Sequence, residues 1–244
     1  MKKISILLAL VTATTAALSQ KIVNLVLVGE KGVTKNVREA HSFVVIKKYP
    51  DGFQRLDYKM KAPLQRVRTY SDSTLAILKG SCYEYSPAGR IVKSGYYQDN
   101  QKAGDWYYYN DTGKVILEEK YEAGVLLKTI DPDTLKKEAA PVNLNEADER
   151  EAVYKGGNSD WSRYLSRELN ADVGSRSVNG GRVITRFRIS TSGKITDVHL
   201  EKSVEFVLDE EAIRVIENSP PWQPALQRGK AVNAYRRQPL TFIK

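Results

Sequence analysis

Arg182-Val183-Ile184-Thr185-Arg186-Phe187-Arg188-Ile189 decides how the last part of the chain folds. Val183, Thr185, Phe187 and Ile189 fall on one side of an extended chain, and Arg186 and Arg188 fall on the other. That is the period-two pattern of a strand with one buried face. Ser190 to Lys194 turns the chain at Gly193, and Ile195 to Glu201 returns with Val198 and Leu200 on the buried side. The pair predicts an antiparallel hairpin whose other face is wet.

Working outward from this hairpin, a helix is expected on either side. Upstream, Trp161, Tyr164, Leu165 and Leu169 recur at helical spacing, with Asn158 or Ser159 placed to cap the helix and Arg163, Arg167 and Glu168 on the polar face. Downstream, Leu208 to Asn218 puts Leu208, Ala212, Val215 and Ile216 on one face, with Asp209, Glu210 and Glu211 in a first turn where the helix dipole favours anions. These acids read as a helix start rather than a catalytic carboxylate pair. Pro220 and Pro221 stop the helix, Trp222 reads as core, Gln227 to Lys230 turns, and Val232 to Ile243 forms a last strand. Residues 151–244 therefore read α-β-β-α-β, an α+β unit with a three-stranded antiparallel sheet.

Residues 20–130 read differently. At an offset of 24 residues, Gly80, Tyr83, Tyr85, Gly89, Arg90 and Val92 fall on Gly104, Tyr107, Tyr109, Gly113, Lys114 and Ile116. Each unit, clearest over 79–125, is a Tyr-rich strand, a tight turn at Ser86-Pro87-Ala88-Gly89 or Asn110-Asp111-Thr112-Gly113, and a second strand. Tyr49-Pro50-Asp51-Gly52 echoes the turn with one residue fewer. The expectation is an all-β domain of stacked hairpins whose tyrosines serve mainly as core and ladder packing. Between the halves, 131–150 is polar, carries Asp131-Pro132-Asp133, and reads as a linker.

The N-terminus sets the expected compartment. Lys2 and Lys3 precede an apolar run from Ile4 and a small-residue stretch ending at Ser19, the layout of a secretory signal peptide over 1–19 cleaved after Ser19. The run falls short of the roughly 20 apolar residues of a membrane span, so no stable span is expected in the mature chain. Cys82, the single cysteine, excludes an internal disulfide and reads as a buried small side chain. The net charge of +9 is spread among 29 acidic residues rather than gathered into a stripe, which argues against nucleic acid as partner. His41 and His199 are the only histidines, and there is no HExxH, GxSxG or phosphate loop. No catalytic residue, metal ligand or cofactor is expected, and the chain is read as a non-enzyme.

Two resemblances follow from these motifs. Gly80 to Arg90, and Gly104-Asp105-Trp106-Tyr107-Tyr108-Tyr109 to Lys114, resemble MORN-type, antitoxin-like β-hairpin repeats. Gly156-Gly157, Gly181 to Ile189, Ser192-Gly193, Leu208-Asp209-Glu210-Glu211-Ala212, Pro221-Trp222-Gln223-Pro224-Ala225, Gly229-Lys230-Ala231-Val232 and Pro239-Leu240-Thr241-Phe242 together resemble the C-terminal domain of TonB-type energy transducers. That resemblance implies a periplasmic or envelope location, a link to transmembrane transport, and docking of an outer-membrane receptor peptide on the edge of the last strand by β-augmentation. The edge would be Val232 to Gln238, with Asn233, Ala234, Tyr235, Arg236 and Arg237 as candidates; the arginines read equally well as protection against wrong pairing. An energy transducer also needs an anchored helix with a histidine and a long Pro/Lys-rich rod, which this chain does not carry, so binding without energisation is expected. An adaptor whose repeats hold an envelope protein, lipid or glycan, an anchored transducer with an uncleaved N-terminus, and a homodimer stay open.

Overall fold

The computed structural model describes residues 21–135, 149–170 and 172–244. The expected signal peptide at 1–19 and the middle of the expected linker, 136–148, lie outside the described residues. Among the described residues, no helix is long and apolar enough to cross a membrane.

The first half is one antiparallel sheet of ten strands. These are β1 (Lys21–Gly29), β2 (Gly32–Thr34), β3 (Ala40–Tyr49), β4 (Gly52–Lys59), β5 (Leu64–Tyr70), β6 (Leu78–Tyr85), β7 (Ile91–Gln98), β8 (Gln101–Tyr109), β9 (Val115–Glu122) and β10 (Val125–Ile130). They lie in the order β10-β9-β8-β7-β6-β5-β4-β3-β1-β2, so from β3 onward each strand pairs with its neighbour in sequence. Two of the turns marked by glycine close in the same way. In the β6–β7 turn, Gly89 N donates to Ser86 O at 2.8 Å and Ser86 N to Arg90 O at 2.8 Å; in the β8–β9 turn, Gly113 N donates to Asn110 O at 2.9 Å and Asn110 N to Lys114 O at 3.0 Å. Gly89 and Gly113 take φ of 77° and 85°, the left-handed region that closes such three-residue loops. Tyr49 and Gly52 close the β3–β4 hairpin around two residues.

The two faces of this sheet differ. Tyr83 pairs across β7 with Ser94, and Ser94 with Tyr107, so these share one face; Tyr83 and Tyr85 on it are buried. On the opposite face Trp106 lies against Gly95, where an added Cβ would overlap the indole ring. Tyr97 and Tyr121 meet that ring edge-on at 5.1 and 6.3 Å, and Lys102 sits 4.7 Å from its centroid. Cys82 is buried, and burial pushes its thiol up to about 12.

After β10, a single turn α1 (Pro132–Leu135) lies beside β9, and its Asp133 pairs at 2.7 Å with Lys114, the residue just before that strand. The second half comprises α2 (Gly157–Glu168), α3 (Asp172–Arg176), β11 (Gly181–Ile189), β12 (Ile195–Lys202), α4 (Phe206–Glu217), β13 (Ala225–Gln227), β14 (Lys230–Val232) and β15 (Ala234–Phe242). β12-β11-β15 form a three-stranded antiparallel sheet, and β13 and β14 a small hairpin. The chain is α+β. The Ser190–Lys194 turn repeats the geometry of the two repeat turns, with Gly193 N on Ser190 O at 2.9 Å and φ of 80°. Val183, Phe187, Ile189, Leu200 and Leu240 bury one face of the sheet beneath Leu208, Ala212, Val215 and Ile216 of α4. Each such fully buried large side chain stabilises by roughly 1.5–3 kcal/mol. Trp222 is buried against Phe187 and Trp161.

Four expectations are corrected. The first long helix has Gly156 at its N-cap, not Asn158 or Ser159, and no side chain caps it; Gly156 and Gly157 both take positive φ and turn the chain early, with Gly157 N on Tyr154 O at 2.7 Å. The second helix starts at Phe206 rather than Leu208, and Asp209 in its first turn is fully buried because the hairpin sheet packs onto it through Tyr58. The final strand is interrupted at Asn233, because β14 belongs to a separate hairpin turned at Arg228 and Gly229, both at positive φ. The outer face of the β11–β12 hairpin is not simply wet, because its β12 side is packed against the ten-stranded sheet.

Candidate functional site

The three-stranded sheet has two outer edges, β12 and β15, and the ten-stranded sheet meets the C-terminal half of the first. Arg90 forms an isolated antiparallel bridge with Lys202. Ser203 N donates to Gly89 O at 2.8 Å. Tyr85 Oη donates to Leu200 O at 2.9 Å, and the Tyr83 ring stacks on His199 at 4.6 Å. The turn glycine of the repeat is what allows this approach, since a Cβ on Gly89 would overlap Ser203 O. β15 is different. It pairs with β11 from Gly181–Phe242 to Ile189–Ala234, and among the described residues no strand pairs with its other side.

The five candidate positions separate on this edge. Asn233 lies between β14 and β15 and belongs to neither. Ala234, Tyr235, Arg236 and Arg237 lie opposite Ile189, Arg188, Phe187 and Arg186. Ala234 and Arg236 point with Phe187 toward the helices, and Tyr235 and Arg237 with Arg186 toward the other face. The side chains are held by contacts that sequence reasoning missed. Arg236 donates to Ala152 O from Nε at 3.1 Å and from Nη2, and pairs with Glu151 at 3.1 Å. Arg237 Nε reaches Glu201 at 2.8 Å. Tyr235 Oη donates to Asp197 Oδ2 at 3.4 Å, and the Arg186 guanidinium lies 5.1 Å from the Tyr235 ring centroid.

Asp197 ties β15 to the hairpin sheet. It is a bulge residue at φ 52° in β12, and its carboxylate also accepts from Tyr83 Oη at 3.2 Å. Burial pushes this carboxyl up, but the hydrogen bond and charge of His199 and the Tyr83 hydroxyl outweigh it and hold the group below the usual carboxylate range. Nothing in the local sequence marks Asp197, because a bulge is a property of two strands and not of one.

Beside the start of β15 runs a cleft of about 510 Å³, bounded by Arg150, Ala152, Leu226, Val232, Ala234 and Arg236. Its far wall is the chain's own segment before α2. Arg150 and Leu226 exchange backbone hydrogen bonds at 3.1 and 2.7 Å, and Val153 and Gln223 at 3.0 and 2.8 Å. This short strap is strand-like and antiparallel to the residues it meets. The arrangement offers an open strand edge, a cleft beside it and fixed arginine donors. Among the described residues, no group of three or more His, Cys, Asp or Glu side chains is placed to hold a metal ion.

Residues 175–243 match the family described as Gram-negative bacterial TonB protein C-terminal. The match runs from the end of α3 through β15 and so contains both edges of the three-stranded sheet. Comparisons with curated proteins and with solved structures give no match.

Proposed function

We propose that this chain is an exported envelope protein, freed of residues 1–19, that docks an extended N-terminal peptide of an outer-membrane receptor along the outer edge of β15. It binds without being energised itself, and 20–130 and 151–244 act as two domains joined across 131–150. One observation carries the reading: the hairpin sheet bridges the β12 edge at Leu200 to Ser203, while β15 keeps an open edge next to a cleft. An added strand gains main-chain hydrogen bonds along such an edge, and alternate side chains meet Tyr235 and Arg237 on one face and Ala234 and Arg236 on the other. The TonB C-terminal match over the same strands supports it.

The adaptor reading draws on a different surface, the face carrying Trp106, Tyr97, Tyr121, Lys93 and Lys102 in what resembles a MORN-type repeat. One experiment separates the two. Hydrogen exchange of the full chain, with and without synthetic N-terminal peptides of outer-membrane receptors, should show new protection at those amides of 234–238 that face away from β11. No protection with any such peptide would overturn receptor docking, and protection confined to β7–β9 would favour the adaptor. Mass spectrometry of the native N-terminus tests export, since an intact Met1 in the membrane fraction would revive the anchored transducer.

A further inference from the structure

The seam between the two halves contains one buried carboxyl that gathers groups from both. Asp209, in the first turn of α4, has no exposed surface. Its Oδ2 accepts from Tyr58 Oη at 3.1 Å and from Ser203 Oγ at 2.5 Å, and its Oδ1 from Val204 N at 3.0 Å. Ser203 Oγ also accepts from Leu64 N at 2.7 Å, and Ser203 N donates to Gly89 O at 2.8 Å. Four segments therefore converge on it: β4, the start of β5, the β6–β7 turn, and the loop from β12 into α4.

The ionisable groups around it are few in kind. From the hairpin sheet come the tyrosines Tyr58 and Tyr85, both raised well above their ordinary value, by burial first and Asp209 next, and Lys47, which pairs with Glu210 at 2.5 Å. Tyr49 lies within the field of Glu210 and Glu217. From the C-terminal half come Glu210, whose charge opposes a second anion beside it, and Glu205, which accepts from Val178 N, Asn179 N and Asn179 Nδ2.

We propose that the contact between the hairpin sheet and the C-terminal domain is a proton-sensitive latch switched by Asp209, tight when its carboxyl is protonated and looser when it is ionised. The reason is desolvation. An ionised carboxylate is costly in this seam even with three donors. Burial raises the group to about 7, against the pull of Ser203, Val204 and Tyr58. Parting the halves would return Asp209 to water and to an ordinary carboxylate value. The docked form therefore binds the proton more tightly, so docking is strongest in acid and weakens as pH rises toward and through 7. Loosening the seam frees the β12 edge at Leu200 O and the His199 ring now stacked on Tyr83.

Two backbone amides report the seam directly, because Leu64 N and Ser203 N each donate across it. In the full chain, their protection from hydrogen exchange, corrected for intrinsic rates, should fall about tenfold between pH 6 and pH 8.5 relative to amides within β3 or β11. Asp209→Asn should abolish this dependence and keep the amides protected at pH 8.5. Tyr58→Phe removes one donor to the carboxylate and should move the change to higher pH, a readout that survives if the asparagine variant does not fold. Flat protection in the wild type, or a pH dependence unchanged by both substitutions, would overturn the latch.

Discussion

The ring of Tyr83 in the hairpin sheet stacks on the imidazole of His199 in the C-terminal sheet, with centroids 4.6 Å apart and planes 13° from parallel. This pair joins residues 116 positions apart and belongs to neither half alone. A double-mutant cycle with Tyr83→Leu and His199→Leu should give a coupling of about 0.5–1.5 kcal/mol in denaturant unfolding. A coupling near zero would mean that the two sheets do not dock through this face.

Equivalent glycines in the repeat should not be equally replaceable. Gly89 and Gly113 share the left-handed φ, so alanine strains both by about 1–2 kcal/mol. A Cβ at Gly113 meets nothing closer than Glu201 Oε1 at 3.8 Å, whereas at Gly89 it would overlap Ser203 O. Gly89→Ala should therefore lower the unfolding midpoint well beyond Gly113→Ala. Equal losses would show that the turn alone matters.

Gly95→Ala is expected to dislodge Trp106. The added methyl would occupy the space of an indole that is 1% exposed, and such overpacking costs about 1–3 kcal/mol. Tryptophan fluorescence at the native baseline should shift to the red as the ring moves into water, in step with a lower melting temperature. An unshifted spectrum would contradict the flat seating of the ring.

Cys82 should resist alkylation while the chain is folded. With its thiol near 12, on the order of 10⁻⁴ is thiolate at pH 8, and the side chain is also covered. Reaction with iodoacetamide should rise about tenfold per pH unit toward 12 and become fast only in denaturant. Rapid labelling of the native chain at pH 8 would show that β6 is exposed.

The sequence by itself determined the local elements. Period-two alternation fixed β11 and its buried face, helical spacing fixed which sides of α2 and α4 turn inward, and Gly89, Gly113 and Gly193 marked turns that all close in the same way, because each of these signals acts between residues close in the chain. The last strand was legible for the same reason over Ala234 to Phe242, but its separation from β14 at Asn233 was not. What tertiary structure decided was everything set by two distant segments meeting: the bulge at Asp197, the strap of Arg150 to Val153 beside the cleft, the bridging of β12 by the β6–β7 turn, and the burial of Asp209. In the sequence Asp209 is one of three consecutive acids at a helix start. Only the approach of Tyr58, Leu64 and Gly89, more than a hundred residues earlier, removes its water and makes it the carboxyl on which the seam turns.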